Sequence, residues 1–236
     1  MRPRTAIIAA LPREVAPLVR GWRDESDRAN KVHLYTCDAA VVAHAGMGAE
    51  RAAMAARRAL QSGPVSQIIS AGWAGALQTG WDATSVCFPA YVVDATDGQR
   101  YATHAGKGTL VTVTGFAHAE EKRRLRAEHA ADFVDMEAAA VAKIAAEQGL
   151  PFAAVKAISD GPDEALPDLQ RFYSGDGQFR ELAFALYLAA RPWLWPVAVR
   201  MGTSATRAAK NLCRELDRIV RADGAVSTAQ ATDERR

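Results

Sequence analysis

Short, uninterrupted apolar runs alternate with helical stretches along this chain, and that alternation limits the fold more than any other feature. Residues 6–11 form the first run, the pattern of a strand covered on both faces. Pro12 follows in the first turn of a helix carrying Val15, Leu18 and Val19, where the missing N–H of proline is tolerated. Residues 32–35 and 39–45 read as a strand pair joined around Cys37-Asp38, and Gly46-Met47-Gly48 leads into an alanine-rich helix over 49–60. The next buried strand, 67–71, ends in Gly72-Trp73-Ala74-Gly75. Further strands are predicted at 84–88, 90–94, 109–113, 133–134 and 152–158, with helices over 119–129 and 136–147. The last third reads as helical. Repeated βα units with short loops make a single α/β sheet the economical topology.

Composition supports one folded unit. With 236 residues, 49% of them hydrophobic, the chain can bury a sizeable core without disulfides or metal. Cys37, Cys87 and Cys213 are far apart and show no zinc-ligand spacing, so they read as ordinary small apolar side chains. The 29 Lys and Arg against 27 Asp and Glu give a net charge of +2, too small for a dedicated nucleic-acid binder. Residues 6–11 are too short for the apolar region of a signal peptide, so a cytoplasmic protein is expected. No run of 18 apolar residues suggests a membrane span. The expected organisation is a catalytic domain over 1–190, a basic aromatic helical extension over 191–222 and a disordered polar tail over 223–236.

Two glycine-containing segments follow predicted strands, where open α/β sheets bind ligands. The first, from His44 to Arg51, starts like a dinucleotide fingerprint but has Arg51 in place of the third glycine and no phosphate-loop lysine. It serves either as turn chemistry at a helix start or as a phosphate or ribose contact. In the second, Gly72 and Gly75 let backbone approach a ligand closely. Acidic residues carry the stronger signal. Asp135 and Glu137 flank Met136 at a helix start, Asp160 follows Ser159 at a strand end, and Glu14 lies just past the first strand. Each has an ordinary use as a dipole complement, a turn residue or a solvated helix face. Together they lie beyond the C-terminal ends of strands, where one pocket can gather them.

The segments A-I-I-A-A-L-P-R-E-V (6–15), A-G-M-G (45–48), S-A-G-W-A-G-A-L (70–77), V-D-M-E-A-A-A (134–140) and V-K-A-I-S-D (155–160) occur in the order of the nucleoside phosphorylase/nucleosidase superfamily. The chain most resembles its 5′-methylthioadenosine/S-adenosylhomocysteine nucleosidase branch. That resemblance implies a mixed, partly barrel-like central sheet flanked by helices, commonly assembled as dimers or larger oligomers, and catalysis without a metal or organic cofactor. It assigns Asp160, supported by Ser159, to protonation of purine N7, and Glu137 to the ribose hydroxyls with Met136 packing under the sugar. Glu14 would orient the attacking water; Gly72, Trp73 and Asp135 join the substrate-binding set. The chemistry needs acids, because breaking a C1′–N9 bond leaves negative charge on the base and positive character on the sugar. Asp160 is expected to be held protonated.

Phosphorolytic relatives carry an arginine in the loop after the first strand and another before the second glycine segment. Here Leu11-Pro12-Arg13-Glu14 supplies a glutamate and Ile68-Ile69-Ser70 no arginine, which favours water, although Arg13 and Arg51 keep phosphorolysis open. Trp73 replaces a small residue and Lys156 an arginine. Residues 178–190 read as an amphipathic helix with Phe179, Leu182, Leu186 and Tyr187 on one stripe. It runs into R-P-W-L-W-P (191–196) and a basic helix with Arg207, Lys210, Arg214, Arg218 and Arg221. This stretch suits a membrane interface, a lipid-binding lid, or packing on the core or on a dimer partner. It resembles the hopanoid-associated members, which remove adenine from adenosylhopane. The expected function is thus a purine nucleosidase acting on an adenosyl compound with a lipid substituent, a homodimer touching the inner membrane face through 191–222. The alternatives are a methylthioadenosine/S-adenosylhomocysteine nucleosidase, a purine nucleoside phosphorylase, or a nucleoside-binding scaffold.

Overall fold

The computed structural model describes residues 3–164, 170–172 and 180–222; the tail at 223–236, and Phe179 of the expected amphipathic stripe, lie outside them. The strands are β1 (Arg4–Ala9), β2 (Arg23–Asp24), β3 (His33–Thr36), β4 (Ala40–His44), β5 (Val65–Ala76), β6 (Val86–Cys87), β7 (Tyr91–Asp94), β8 (Arg100–Ala102), β9 (Thr109–Thr112), β10 (Phe133–Asp135) and β11 (Phe152–Asp160). The helices are α1 (Pro12–Val15), α2 (Ala49–Gln61), α3 (Ala119–His129), α4 (Ala138–Glu147), α5 (Glu181–Ala189) and α6 (Trp195–Arg221). All the strands join one mixed sheet in the order β2-β3-β4-β1-β5-β10-β9-β7-β8, with β11 pairing β5 and β6. It is a single α/β domain flanked by helices, the architecture expected from the sequence.

The uninterrupted apolar run of β1 is explained by its two covered faces. Ala6 and Ile8 join a cluster with Ala52, Ala56 and Ala142 of α2 and α4. Ile7 and Ala9 point the other way, into a cluster with Ala208, Leu212 and Leu216 of α6. Side chains alternate across a strand, so both sets must be apolar. The far half of α6 is therefore part of the main core, while Trp195 and Val199 near its start are exposed.

β5 differs most from its expected extent. The strand does not stop at Ala71 but continues through both glycines to Ala76, 12 residues in all. The reason is pairing: Gly72 to Gly75 lie in register with Lys156 to Asp160 of β11. The last residues of β5 then pair antiparallel with β10, Gly75 opposite Val134 and Ala76 opposite Phe133. β5 thus pairs with β1 and β11 in parallel and, through its last residues, with β10 antiparallel, so it links the two arms of the mixed sheet. It also brings the ends of β10 and β11 to either side of Gly75.

The expected stripe on α5 is also corrected. Leu182 and Leu186 are exposed, 74% and 63% accessible, whereas Phe184 and Tyr187 stack edge-on against Phe172 at 5.2 and 5.1 Å. The helix is apolar nearly all round (E-L-A-F-A-L-Y-L-A), so periodicity could not select its buried face. No helix among the described residues is long and apolar enough to cross a membrane.

Candidate active site

Glu14 is placed by the sharp exit from β1. Pro12 starts α1 directly after the strand, and the Glu14 carboxylate folds back over the bend. Its Oε2 accepts the N–H groups of Ala10 and Leu11 at 2.9 and 2.8 Å, and its Oε1 that of Trp73 at 3.1 Å. Burial pushes the Glu14 carboxyl above its usual range, against the pull of the Leu11 and Trp73 amides and the Lys156 charge. Gly72 belongs to this arrangement without lining the cavity, because its missing side chain leaves the space that Glu14 occupies.

Asp135 and Glu137 diverge although one residue separates them. Asp135 ends β10 with its carboxylate turned inward. It accepts from the Thr112 hydroxyl at 2.6 Å and the Ala138 N–H at 3.0 Å, and pairs with Lys156 Nζ at 2.8 Å. Thus it accepts from the first turn of α4 and anchors a buried cation, with both its oxygens engaged by protein. Lys156 also donates to Ser70 Oγ at 3.0 Å. Burial opposes the charge on Lys156, but Asp135, Glu137 and Glu14 outweigh that and hold the ammonium above its usual range. Glu137 takes the N-cap position of α4, where its Oε1 accepts the Gly48 N–H at 2.8 Å. The first glycine segment is therefore tied to this carboxylate. Burial, and next the neighbouring Asp135 charge, push the Glu137 carboxyl up to about 7.

Asp160 closes β11 opposite Gly75. Its Oδ1 meets the Ser159 hydroxyl, which also lies 3.2 Å from the Ala74 carbonyl. Its Oδ2 forms an ion pair with Lys122 Nζ, and Lys122 donates a second hydrogen bond to the Gly161 carbonyl at 2.6 Å. The expected acid Asp160 has the buried Lys122 as its side-chain neighbour. Sequence reasoning missed Lys122. It sits in A-E-E-K-R-R-L-R-A-E-H, where every charge but this one faces outward, and its partner is 38 residues away.

These groups line one cavity of about 300 Å³, within the size range of ligand pockets. Glu14, Trp73, Met136, Glu137, Ser159 and Asp160 border it, with Asp135 and Lys122 in the wall. Its other side is apolar and comes from Phe184 and Leu188 of α5 and Ala198, Gly202 and Ala205 of α6. Of the arginines relevant to phosphate, Arg51 turns away and donates to the carbonyls of Ala45 at 2.6 Å and Lys31 at 3.1 Å. Arg13 borders the cavity with its guanidinium 5.1 Å from the Trp73 ring centre. Among the described residues, no three His, Cys, Asp or Glu side chains are grouped to hold a metal ion. Such a cavity can grip vicinal hydroxyls at one carboxylate, orient a water at a second, and move a proton at the third.

Known proteins share this architecture. The apo 5′-methylthioadenosine nucleosidase of Arabidopsis thaliana superposes with a TM-score of 0.71 at 19% identity, covering 97% of this chain and 99% of that one. The 5′-methylthioadenosine/S-adenosylhomocysteine nucleosidase of Neisseria meningitidis, in complex with methylthio-immucillin-A, gives 0.68 at 19%, covering 94% and 100%. Futalosine hydrolase of Helicobacter pylori gives 0.65 at 18%, covering 92% and 98%. No curated protein sequence matches the chain significantly. The profile of the phosphorylase superfamily matches residues 4–108 and 99–189, and on that match, spanning most of its length, this chain belongs to the phosphorylase superfamily.

Proposed function

We propose that this chain is a purine nucleosidase that hydrolyses the N-glycosidic bond of an adenosyl compound and releases adenine. The observation that carries this is the gathering of Glu14, Glu137 and Asp160, from three separate strand ends, around one cavity. Glu137 holds the ribose hydroxyls over Met136, and Glu14 orients the water that attacks C1′. Asp160 delivers the proton that makes the base a competent leaving group, an effect worth about 10²–10⁴ in rate. The buried carboxylates also favour the oxocarbenium-like sugar.

Hydrolysis is favoured over phosphorolysis by the Glu14 carboxylate in the cavity wall. A phosphate charge about 4 Å from it meets a repulsion of roughly 4 kcal/mol at an intermediate effective dielectric. Arg51, moreover, is committed to backbone carbonyls. The structural neighbours are named as nucleosidases and a hydrolase, which supports the same choice.

The preferred substrate is adenosylhopane. Supporting this are the resemblance of the R-P-W-L-W-P stretch and the apolar side of the cavity, built by α5 and α6. Beyond that side, Leu182, Leu186, Trp193, Trp195 and Val199 are all exposed. An apolar corner of this kind, continuous with the basic face of α6, suits partial insertion into an anionic bilayer that supplies a lipid-linked nucleoside. The test is adenine release from adenosylhopane and methylthioadenosine side by side, with and without phosphate. Release without phosphate and faster from adenosylhopane is expected. Strict phosphate dependence would make the chain a phosphorylase, preference for methylthioadenosine would remove the lipid substrate, and no release would leave a nucleoside-binding scaffold.

A further inference from the structure

Two lysines are fully buried beside the carboxylates of the site, and the structure gives them different positions. Lys156 lies behind the wall, tied to Asp135 and Ser70. Lys122 lies in the wall itself, 2% exposed and bordering the cavity beside Asp160. Burying an ammonium costs several kcal/mol unless it is paired, so a lysine driven inward from a charged surface helix needs a reason. Leu125 already anchors α3 in the core, so the packing of the helix does not by itself require a buried lysine. Gly75 keeps the space open: a β-carbon there would stand 3.1 Å from Asp160 Oδ2 and 3.3 Å from Lys122 Cε. Two of the three ammonium donors go to Asp160 and the Gly161 carbonyl.

We infer that Lys122 is the proton source behind Asp160, a positioning residue that acts through that carboxylate; this rests on the nucleosidase reading above. Lys122 Nζ lies within hydrogen-bond reach of Asp160 Oδ2, so a proton can pass from the lysine to the carboxylate. As C1′–N9 breaks, its electron pair moves into the purine, and in one relay Lys122 Nζ gives a proton to Asp160 while Asp160 gives one to N7, which leaves the lysine as a neutral amine. Meanwhile the attacking water gives its oxygen to C1′ and one proton to Glu14. Water then returns the proton from Glu14 to Lys122 as the products leave. The contact thereby gives the acid role of Asp160 a proton source inside the cavity wall.

The test compares Lys122→Gln and Lys122→Met with the parent chain on two substrates. One is the adenosyl compound that the parent hydrolyses. The other is 4-nitrophenyl ribofuranoside, whose phenolate departs without a proton. Loss of about 100-fold in kcat on the adenosyl compound, with a change of no more than about threefold on the nitrophenyl riboside, is expected for both variants. Thermal unfolding of each variant establishes that it is folded. Equal losses on the two substrates would show a merely structural lysine, and no loss on the adenosyl compound would remove it from proton supply; either overturns the proposal. A parent chain that releases no adenine would instead overturn the nucleosidase reading, a separate outcome.

Discussion

A β-carbon at Gly72 would stand 2.9 Å from Glu14 Oε1, so the absence of a side chain in the middle of β5 is what allows the Glu14 carboxylate its position. The same glycine has φ +145°, a backbone region that L side chains rarely adopt. Gly72→Ala is expected to push Glu14 off the Ala10, Leu11 and Trp73 amides. A displacement near 1 Å costs about 100-fold in turnover, with about 1–3 kcal/mol of stability lost to crowding. Steady-state kinetics and urea unfolding check both, and an unchanged kcat would show that Glu14 does not act from this position.

Glu137 makes stability depend on pH. Its carboxyl is raised from the ordinary 4.5 to about 7, chiefly by burial. A raised carboxyl means that the folded chain holds a proton that the unfolded chain has released. Its contribution is therefore full below about pH 4.5 and is lost as pH rises through about 7. Glu14 is shifted in the same direction. Melting temperatures of the parent and Glu137→Gln between those limits are expected to converge at low pH. The variant should be the more stable at higher pH; parallel curves would contradict the assignment.

Lys156 is the counter-charge of Asp135, 2.8 Å from it and buried with it. Lys156→Met leaves Asp135 as an uncompensated buried charge and is expected to cost about 3–5 kcal/mol. Urea unfolding reads this directly. Because Lys156 does not border the cavity, substrate affinity in the fraction that folds should change less than stability.

The sequence made the alternation of β1, β4, β5 and β11 legible because strands covered on both faces carry unbroken apolar runs. It also made Glu14, Glu137 and Asp160 legible, since each lies at or just past a strand end, of β1, β10 and β11. The length of β5 was hidden, because glycines that end many strands are here kept in register by β11. Asp135 looked equivalent to Glu137, and only Thr112, Ala138 and Lys156, brought in by the fold, turn it inward. Lys122 had no local signal at all. Its neighbours in α3 are charges of the same kind, and a strand end far along the chain decides which one is buried.

Trp193 and Trp195, 70% and 53% exposed, are expected to anchor the α5–α6 corner in lipid. Sedimentation with vesicles of phosphatidylcholine and phosphatidylglycerol should show binding by the parent and little by Trp193→Ser/Trp195→Ser. Neither residue borders the cavity, so hydrolysis of a water-soluble nucleoside should be unaffected. Equal sedimentation of both proteins would place the membrane contact elsewhere or remove it.

Purine release in phosphate-free buffer, followed for the parent chain and Asp160→Asn in parallel, tests the proposed chemistry most directly. Turnover by the parent with one free reducing sugar per purine, and a fall of about 100-fold or more in the variant, is the expected result. No release until phosphate is added, or equal release by the two proteins, would contradict hydrolysis driven by this acid.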